Sequence, residues 1–339
     1  MFRLGWRLLP ILQLTRMALV FTALADSFCA LLLSTARYEP AASPWLPTSP
    51  LRIAGLAMIS IGLYGFGMSL NDIIDRRRDL QLARHRPLPS GRIGIMAAHT
   101  ICVLLALMAV AGVLIYTAGQ PTGPLTRTFF AFTLVLIIFY DLAGKYLVAP
   151  GLLTLGLIRF FHAALAAPRL PVIWQPLLLL NHIALISTVA YRWEQKRPPL
   201  TKRHWWAVIG GLAAVDASLI LAVSWRHHGA EGKASAAAAL AITPGLALPA
   251  LAVLAFVAVA FAIRRQNRNA RQAGGALMLT GLLWLIVYDA AFVAGFVGIA
   301  PAGAMLGLLP VAYFSVQLMR WWNQIVAISQ RPAYKRVET

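Results

Sequence analysis

Asn71-Asp72-Ile73-Ile74-Asp75-Arg76-Arg77-Arg78-Asp79 closes a long apolar run and opens a basic loop. Three of the chain's 11 acidic residues fall in this short stretch. Spacings of three and four place Asn71, Asp72, Asp75 and Asp79 on one face of a helix. Clustered carboxylates repel one another unless a cation or protons hold them. An all-oxygen donor set at a membrane edge suits Mg²⁺ rather than zinc, and Mg²⁺ recruits phosphate oxygens as further ligands. The stretch therefore predicts a Mg²⁺–diphosphate site at the mouth of a helical bundle.

The surrounding chain supplies the bundle. Of its 339 residues 60% are hydrophobic and 12% charged. Apolar runs recur along the whole length, and about 20 such residues cross a bilayer as a helix. The short alternating segments of a membrane β-barrel are absent from the sequence. The expectation is all-α: a polytopic transmembrane helical bundle of about nine to ten spans around a cavity, forming a single domain over 1–339. Ten spans are placed at 15–36, 51–72, 94–117, 126–141, 148–166, 173–193, 205–225, 239–263, 275–297 and 303–325. Proline and glycine mark the breaks, as at Pro40, Pro44, Pro47 and Pro50, then Gly119, Pro121, Gly123 and Pro124. Arg3, Arg7 and Arg16 ahead of an apolar run resemble a signal peptide, but Asp26 inside the run argues for a retained first helix. Cys29 and Cys102 both sit in apolar runs and read as small interior residues rather than a disulfide. The alanine-rich 230–241 stretch reads as an outer loop leading into a helix.

The formal net charge of +19 would suggest nucleic acid in a soluble protein. In a membrane protein the positive-inside rule accounts for it, and no nucleic-acid partner is expected. With the N-terminus inside, 23 of the 30 Lys and Arg residues fall on the inner side and six on the outer, with Arg159 left within the membrane. Both termini are therefore expected in the cytoplasm, with the protein in a bacterial inner (plasma) membrane. The same topology gathers 71–92, 141–146 and 191–204 on one face, so distant segments can build one site.

After the acidic stretch comes Arg84-His85-Arg86-Pro87-Leu88-Pro89-Ser90-Gly91-Arg92. A proline-pinned basic loop beside carboxylates can close over a diphosphate, since arginine offers paired donors to phosphate oxygens. The plainer reading is a positive-inside loop beside anionic headgroups. Asp26, Arg159, Asp216 and Asp289 lie within apolar runs, where ionisable groups cost about 3 kcal/mol or more and should pair inside the bundle. Arg159 reads either as a substrate contact or as the partner of Asp26 or Asp289, and Asp216 as structural. His162 and His182 are expected to be hydrogen-bonded interior residues; no spacing supports zinc. Tyr64 and Tyr288 are candidates for a cavity wall, and Gly62, Gly65 and Gly67 for close helix packing beneath the site.

Asn71-Asp72-x-x-Asp75-x-x-x-Asp79 followed by Arg84-x-Arg86-Pro87-Leu88-Pro89-Ser90-Gly91 resembles the first signature of the UbiA-type intramembrane prenyltransferases. Tyr140-Asp141-x-x-x-Lys145 is similar to that family's tyrosine and lysine after its fourth helix, and Gly156-x-x-Arg159 and Thr15-Arg16 are also similar to family positions. The resemblance implies a cavity open to lipid, with Mg²⁺ and a prenyl diphosphate held by two acidic motifs. An allylic cation then alkylates an acceptor, here unidentified. It implies that Asn71, Asp72, Asp75 and Asp79 bind the metal, that Arg84, Arg86 and Lys145 contact phosphates, and that Tyr140 and Arg159 contact substrate. At the second motif the chain reads Tyr191-Arg192-Trp193-Glu194-Gln195-Lys196-Arg197, so Glu194 would be its sole catalytic carboxylate. This stretch, with the additional span, is most similar to the EboC-like branch. The alternative is a silent relative that binds or carries an isoprenoid or lipid in a multi-protein membrane system. An ion-coupled transporter using Asp26, Asp216 and Asp289 would need two symmetric halves with broken helices, a pattern the sequence does not show.

Overall fold

A computed structural model describes residues 9–45, 47–84, 86–196, 198–225 and 239–329. Arg3, Arg7, His85, Arg197, Arg226, Lys233 and most of 230–241, to which the sequence assigns charge or loop roles, lie outside the described residues. The described residues form helices and no strand. In chain order these are α1 (Val20–Tyr38), α2 (Pro50–Ile74), α3 (Arg76–Leu82), α4 (Ile95–Thr117), α5 (Gly123–Leu142) and α6 (Val148–Ala164). They continue as α7 (Trp174–Trp193), α8 (Lys202–Trp225), α9 (Ala247–Gln266), α10 (Ala270–Phe296), α11 (Ile299–Leu306) and α12 (Leu308–Ser329). Every predicted span meets a helix. Among the described residues eight segments are long and apolar enough to cross a membrane; α6, at 17 residues, is shorter, and α7, expected as the span 173–193, is not among the eight.

Local chemistry sets the ends. Ser49 caps α2, its hydroxyl accepting from the Arg52 amide at 3.4 Å, and Pro50 takes the first turn, where no amide donor is needed. Asn269 caps α10 by accepting from the Arg271 amide at 2.9 Å. The eighth span begins at Ala247 rather than at 239, because Pro244-Gly245 imposes a 3₁₀ turn over Pro244–Leu246. The last span divides at Gly307 into α11 and α12.

α1 runs through the middle of the bundle, with Ala25, Asp26 and Cys29 fully enclosed, and packs against α2, α6, α10 and α12. α2 and α4 are the most intimate pair. A Cβ on Gly62 would stand 2.7 Å from the Ala109 amide nitrogen and the Leu105 carbonyl oxygen, so only hydrogen fits there. The opposite face of α6 meets α7 and α8 through Leu152, Phe160, Leu177, Leu180, Val208 and Leu212. Leu107, Val135, Leu221, Leu251 and Phe314 are exposed, as expected of a belt facing lipid rather than water.

Candidate active site

The acidic stretch spans the joint between α2 and α3. Asp75 ends α2 with φ −78° and ψ −1°, yet its amide still donates to the Asn71 carbonyl at 2.9 Å. Asp79 donates in turn to the Asp75 carbonyl at 2.8 Å, so the helical register carries through. Asp72, Asp75 and Asp79 are all buried, 3–4% exposed, where isolated carboxylates would be costly.

Four cations offset that cost. Lys145 donates to Asp75 Oδ1 at 2.7 Å and to Asn71 Oδ1 at 3.5 Å. Arg78 reaches Asp75 Oδ2 at 2.5 Å from one turn along. Arg86 Nη1 lies 2.6 Å from Asp79 Oδ2 and 3.5 Å from Asp72 Oδ1. Arg16 reaches Asp72 Oδ1 at 3.2 Å. Asn71 and Asp75 thus form one row on the helix, Asp72 and Asp79 the adjacent row, each with a positive nitrogen between its two oxygens. Among the described residues no three His, Cys, Asp or Glu side chains converge to hold a metal by themselves. Each row offers two oxygens, which fits Mg²⁺ bound through one or two carboxylates with water and phosphate completing its shell.

Beside Asp72 lies a cavity of about 250 Å³ lined by Gln13, Arg16, Asp72, Arg86, Arg92 and Arg320, with Leu279 and Val316 on its apolar side. Arg16 adopts φ 47°, a left-handed conformation uncommon for residues other than glycine, and this turn aims its guanidinium at Asp72. The basic loop folds back through the Ile93 amide donating to the Pro87 carbonyl at 3.2 Å, with Gly91 at φ 73° making the turn. Leu88 and Ile93 anchor the loop against Leu14 and Ala98. Arg92 donates to Gln13 Oε1 at 2.8 Å and Ser90 Oγ at 3.0 Å. Burial lowers its pKa from the usual value, though a guanidinium remains charged at any ordinary pH.

Not every predicted site residue comes to this place. Arg84 is exposed and donates to its own helix, to the Leu80 carbonyl at 2.9 Å. Tyr140 lies within electrostatic reach of Asp75, Arg16 and Arg78. Glu194 pairs with Lys196 at 2.9 Å and packs against Gly274 of α10, and neither contact belongs to the acidic stretch. Arg159 donates to Asp26 Oδ2 at 2.5 Å and Thr22 Oγ1 at 2.8 Å, deeper in the bundle. Nearby, Gln175 donates to Asp289 Oδ1 at 2.8 Å. Tyr64 is within electrostatic reach of both Arg16 and Arg159. Asn181 donates to both oxygens of Asp216, tying α7 to α8. His182 is bonded as expected, to the Gly281 carbonyl at 2.9 Å and the Tyr288 hydroxyl at 3.2 Å. His162 is not: neither ring nitrogen has a hydrogen-bond partner, because Arg159 already holds the nearest oxygen of Asp26.

The sequence does not single out Arg320 or Asp141, and offers Arg92 only as the end of the basic loop. Arg320 belongs to a segment that reads as ordinary inner-side charge. Asp141 stands in the sequence simply as the neighbour of Tyr140.

The described residues thus combine an all-helical membrane bundle with an acid-rich helix end and a basic cradle. The UbiA prenyltransferase family matches residues 27–193 of this chain. It is 42% identical over 78 residues to Protoheme IX farnesyltransferase 1 of Shewanella loihica. That match spans 22% of this chain and 25% of the relative's length. A solved structure of digeranylgeranylglyceryl phosphate synthase shares the fold, with a TM-score of 0.56, 16% identity, and coverage of 86% of this chain and 99% of that one. A UbiA homolog from Archaeoglobus fulgidus bound to GPP and Mg²⁺ is more loosely similar, with a TM-score of 0.42, 11% identity, and coverage of 91% of this chain and 99% of that one.

Proposed function

We propose that the protein is a Mg²⁺-dependent prenyltransferase of the inner membrane, with both termini in the cytoplasm, transferring a prenyl group from a prenyl diphosphate to a small or lipid acceptor. The observation that carries this reading is the enclosed carboxylate set of Asp72, Asp75 and Asp79 beside a cavity of about 250 Å³ walled by Arg16, Arg86, Arg92 and Arg320. The relationship to a farnesyltransferase over a quarter of its length agrees with it.

The diphosphate head sits where carboxylates and guanidiniums alternate. Asn71, Asp72, Asp75 and Asp79 would hold Mg²⁺, which supplies charge neutralisation for the departing diphosphate. Arg86 and Lys145, freed from the carboxylates, donate to phosphate oxygens, and Arg16, Arg92 and Arg320 complete the anion cradle. The allylic C–O bond breaks and its electron pair leaves with the diphosphate. The acceptor's nucleophilic atom forms the new bond to the allylic carbon and loses its proton. Enclosure by helices keeps water from the cation. Glu194 and Arg84 take no part in this arrangement. Arg159 acts by fixing α1 to α6 around the space below.

The test is release of inorganic diphosphate from geranyl and farnesyl diphosphate by purified protein. Release with Mg²⁺, lost with a chelator and in Asp72→Ala, is expected. Retention of prenyl diphosphate without release at any chain length would instead make the protein an isoprenoid-binding relative.

A further inference from the structure

Asp141 ends α5 one turn before Lys145 and is 2% exposed. Its Oδ1 has no hydrogen-bond partner. Lys145, Asp75, Arg16 and Asp72 all lie within electrostatic reach of its carboxylate. Each carboxylate of the Asn71–Asp79 stretch has a cation in contact, whereas Lys145 spends its ammonium on Asp75 and Asn71. A buried carboxylate oxygen without a partner is expensive, by several kcal/mol for a charged group, and such atoms call for an explanation. Glu194, the acid at the place of the second motif, is engaged with Lys196 elsewhere.

We infer that Asp141 supplies an oxygen ligand to the divalent cation held at Asn71 and Asp75, in the part left open by the reduced second acidic motif. The inference rests on the functional reading above. Asn71 and Asp75 alone give two oxygens, one of them neutral. A third from a separate helix adds a negative charge and fixes the ion from a second direction, as a hard octahedral cation favours. Lys145, on the 3₁₀ turn that follows Asp141, is then placed to pass from Asp75 to a phosphate without α5 moving.

The experiment titrates Mn²⁺ into the full chain with geranyl diphosphate present and reads bound Mn²⁺ by electron paramagnetic resonance. Asp141→Asn keeps the shape and removes an unpaired buried charge, so it should melt at the same temperature or higher. It should bind Mn²⁺ at least about tenfold more weakly, as expected for loss of a charged ligand. Unchanged Mn²⁺ affinity in D141N, with binding lost in Asp75→Ala, overturns the role of Asp141 alone. Failure of the unsubstituted protein to take up Mn²⁺ overturns the underlying reading with it. Should D141N not fold, Fe²⁺ with ascorbate and peroxide maps the ion in the unsubstituted chain. Backbone cuts near both 71–79 and 139–143 support the inference, and cuts near 71–79 alone refute it.

Discussion

Asp75 carries two tasks that one pair of substitutions can separate. Its carboxylate is 3% exposed and holds Lys145, itself 7% exposed, at 2.7 Å and Arg78, 52% exposed, at 2.5 Å. Asp75→Ala strands an enclosed ammonium. Breaking a buried pair from one side costs about 3–5 kcal/mol. The Asn71 oxygen at 3.5 Å from Lys145 remains as a weak acceptor, so the lower end applies. The Arg78 contact, half in water, adds about 0–1 kcal/mol. The expected loss is therefore about 3 kcal/mol. Adding Lys145→Met removes the stranded charge and should restore most of that stability. On the proposed function diphosphate binding behaves differently, because both variants lack the carboxylate assigned to the metal and the double variant also lacks the ammonium assigned to a phosphate. Melting temperature in detergent and Mg²⁺-dependent retention of geranyl diphosphate measure the two. The single variant should be weak in both, and the double variant stable but unable to bind. A double variant that binds with Mg²⁺ as the unsubstituted protein does would remove Asp75 from the site, and an unshifted melting temperature in Asp75→Ala would refute the enclosed ion pair.

Glu194→Gln should leave turnover within about twofold, since its contacts with Lys196 and Gly274 lie apart from the acidic stretch; a collapse of kcat would place a second metal there. Arg159→Leu should destabilise by about 3–5 kcal/mol by stranding Asp26, while Asp26→Asn with Arg159→Met should recover most of it, read by thermal unfolding. Gly62→Val should cost at least about 1–3 kcal/mol through collision with the α4 backbone, whereas Gly210→Ala, with nothing within 4 Å of the added carbon, should be neutral.

The helices were legible because a bilayer leaves few solutions to a chain of this hydropathy. The first acidic motif was legible because its spacing is local, and a single helix converts it into one face. Exceptions came where tertiary placement overrides local pattern. Glu194 has the right residue type in the right loop, but its neighbour Lys196 is closer than any partner across the bundle. Arg84 lies beside Arg86 in sequence, yet only Arg86 turns toward the carboxylates; Arg84 turns to the Leu80 carbonyl. The enclosed oxygen of Asp141 has no sequence signal, since a lone acid at a helix end usually meets water. The left-handed Arg16 is likewise set by the three-dimensional demand of reaching Asp72, which no propensity encodes.

The way Lys145 and Arg86 lie across the carboxylates has a consequence for order of events. Each positive nitrogen lies against the carboxylate oxygens that the proposed function gives to a divalent ion. On that proposal a phosphorylated guest would draw those nitrogens onto itself and uncover the oxygens behind them. Ion and guest would then have to arrive together, and a bare ion would find little to hold.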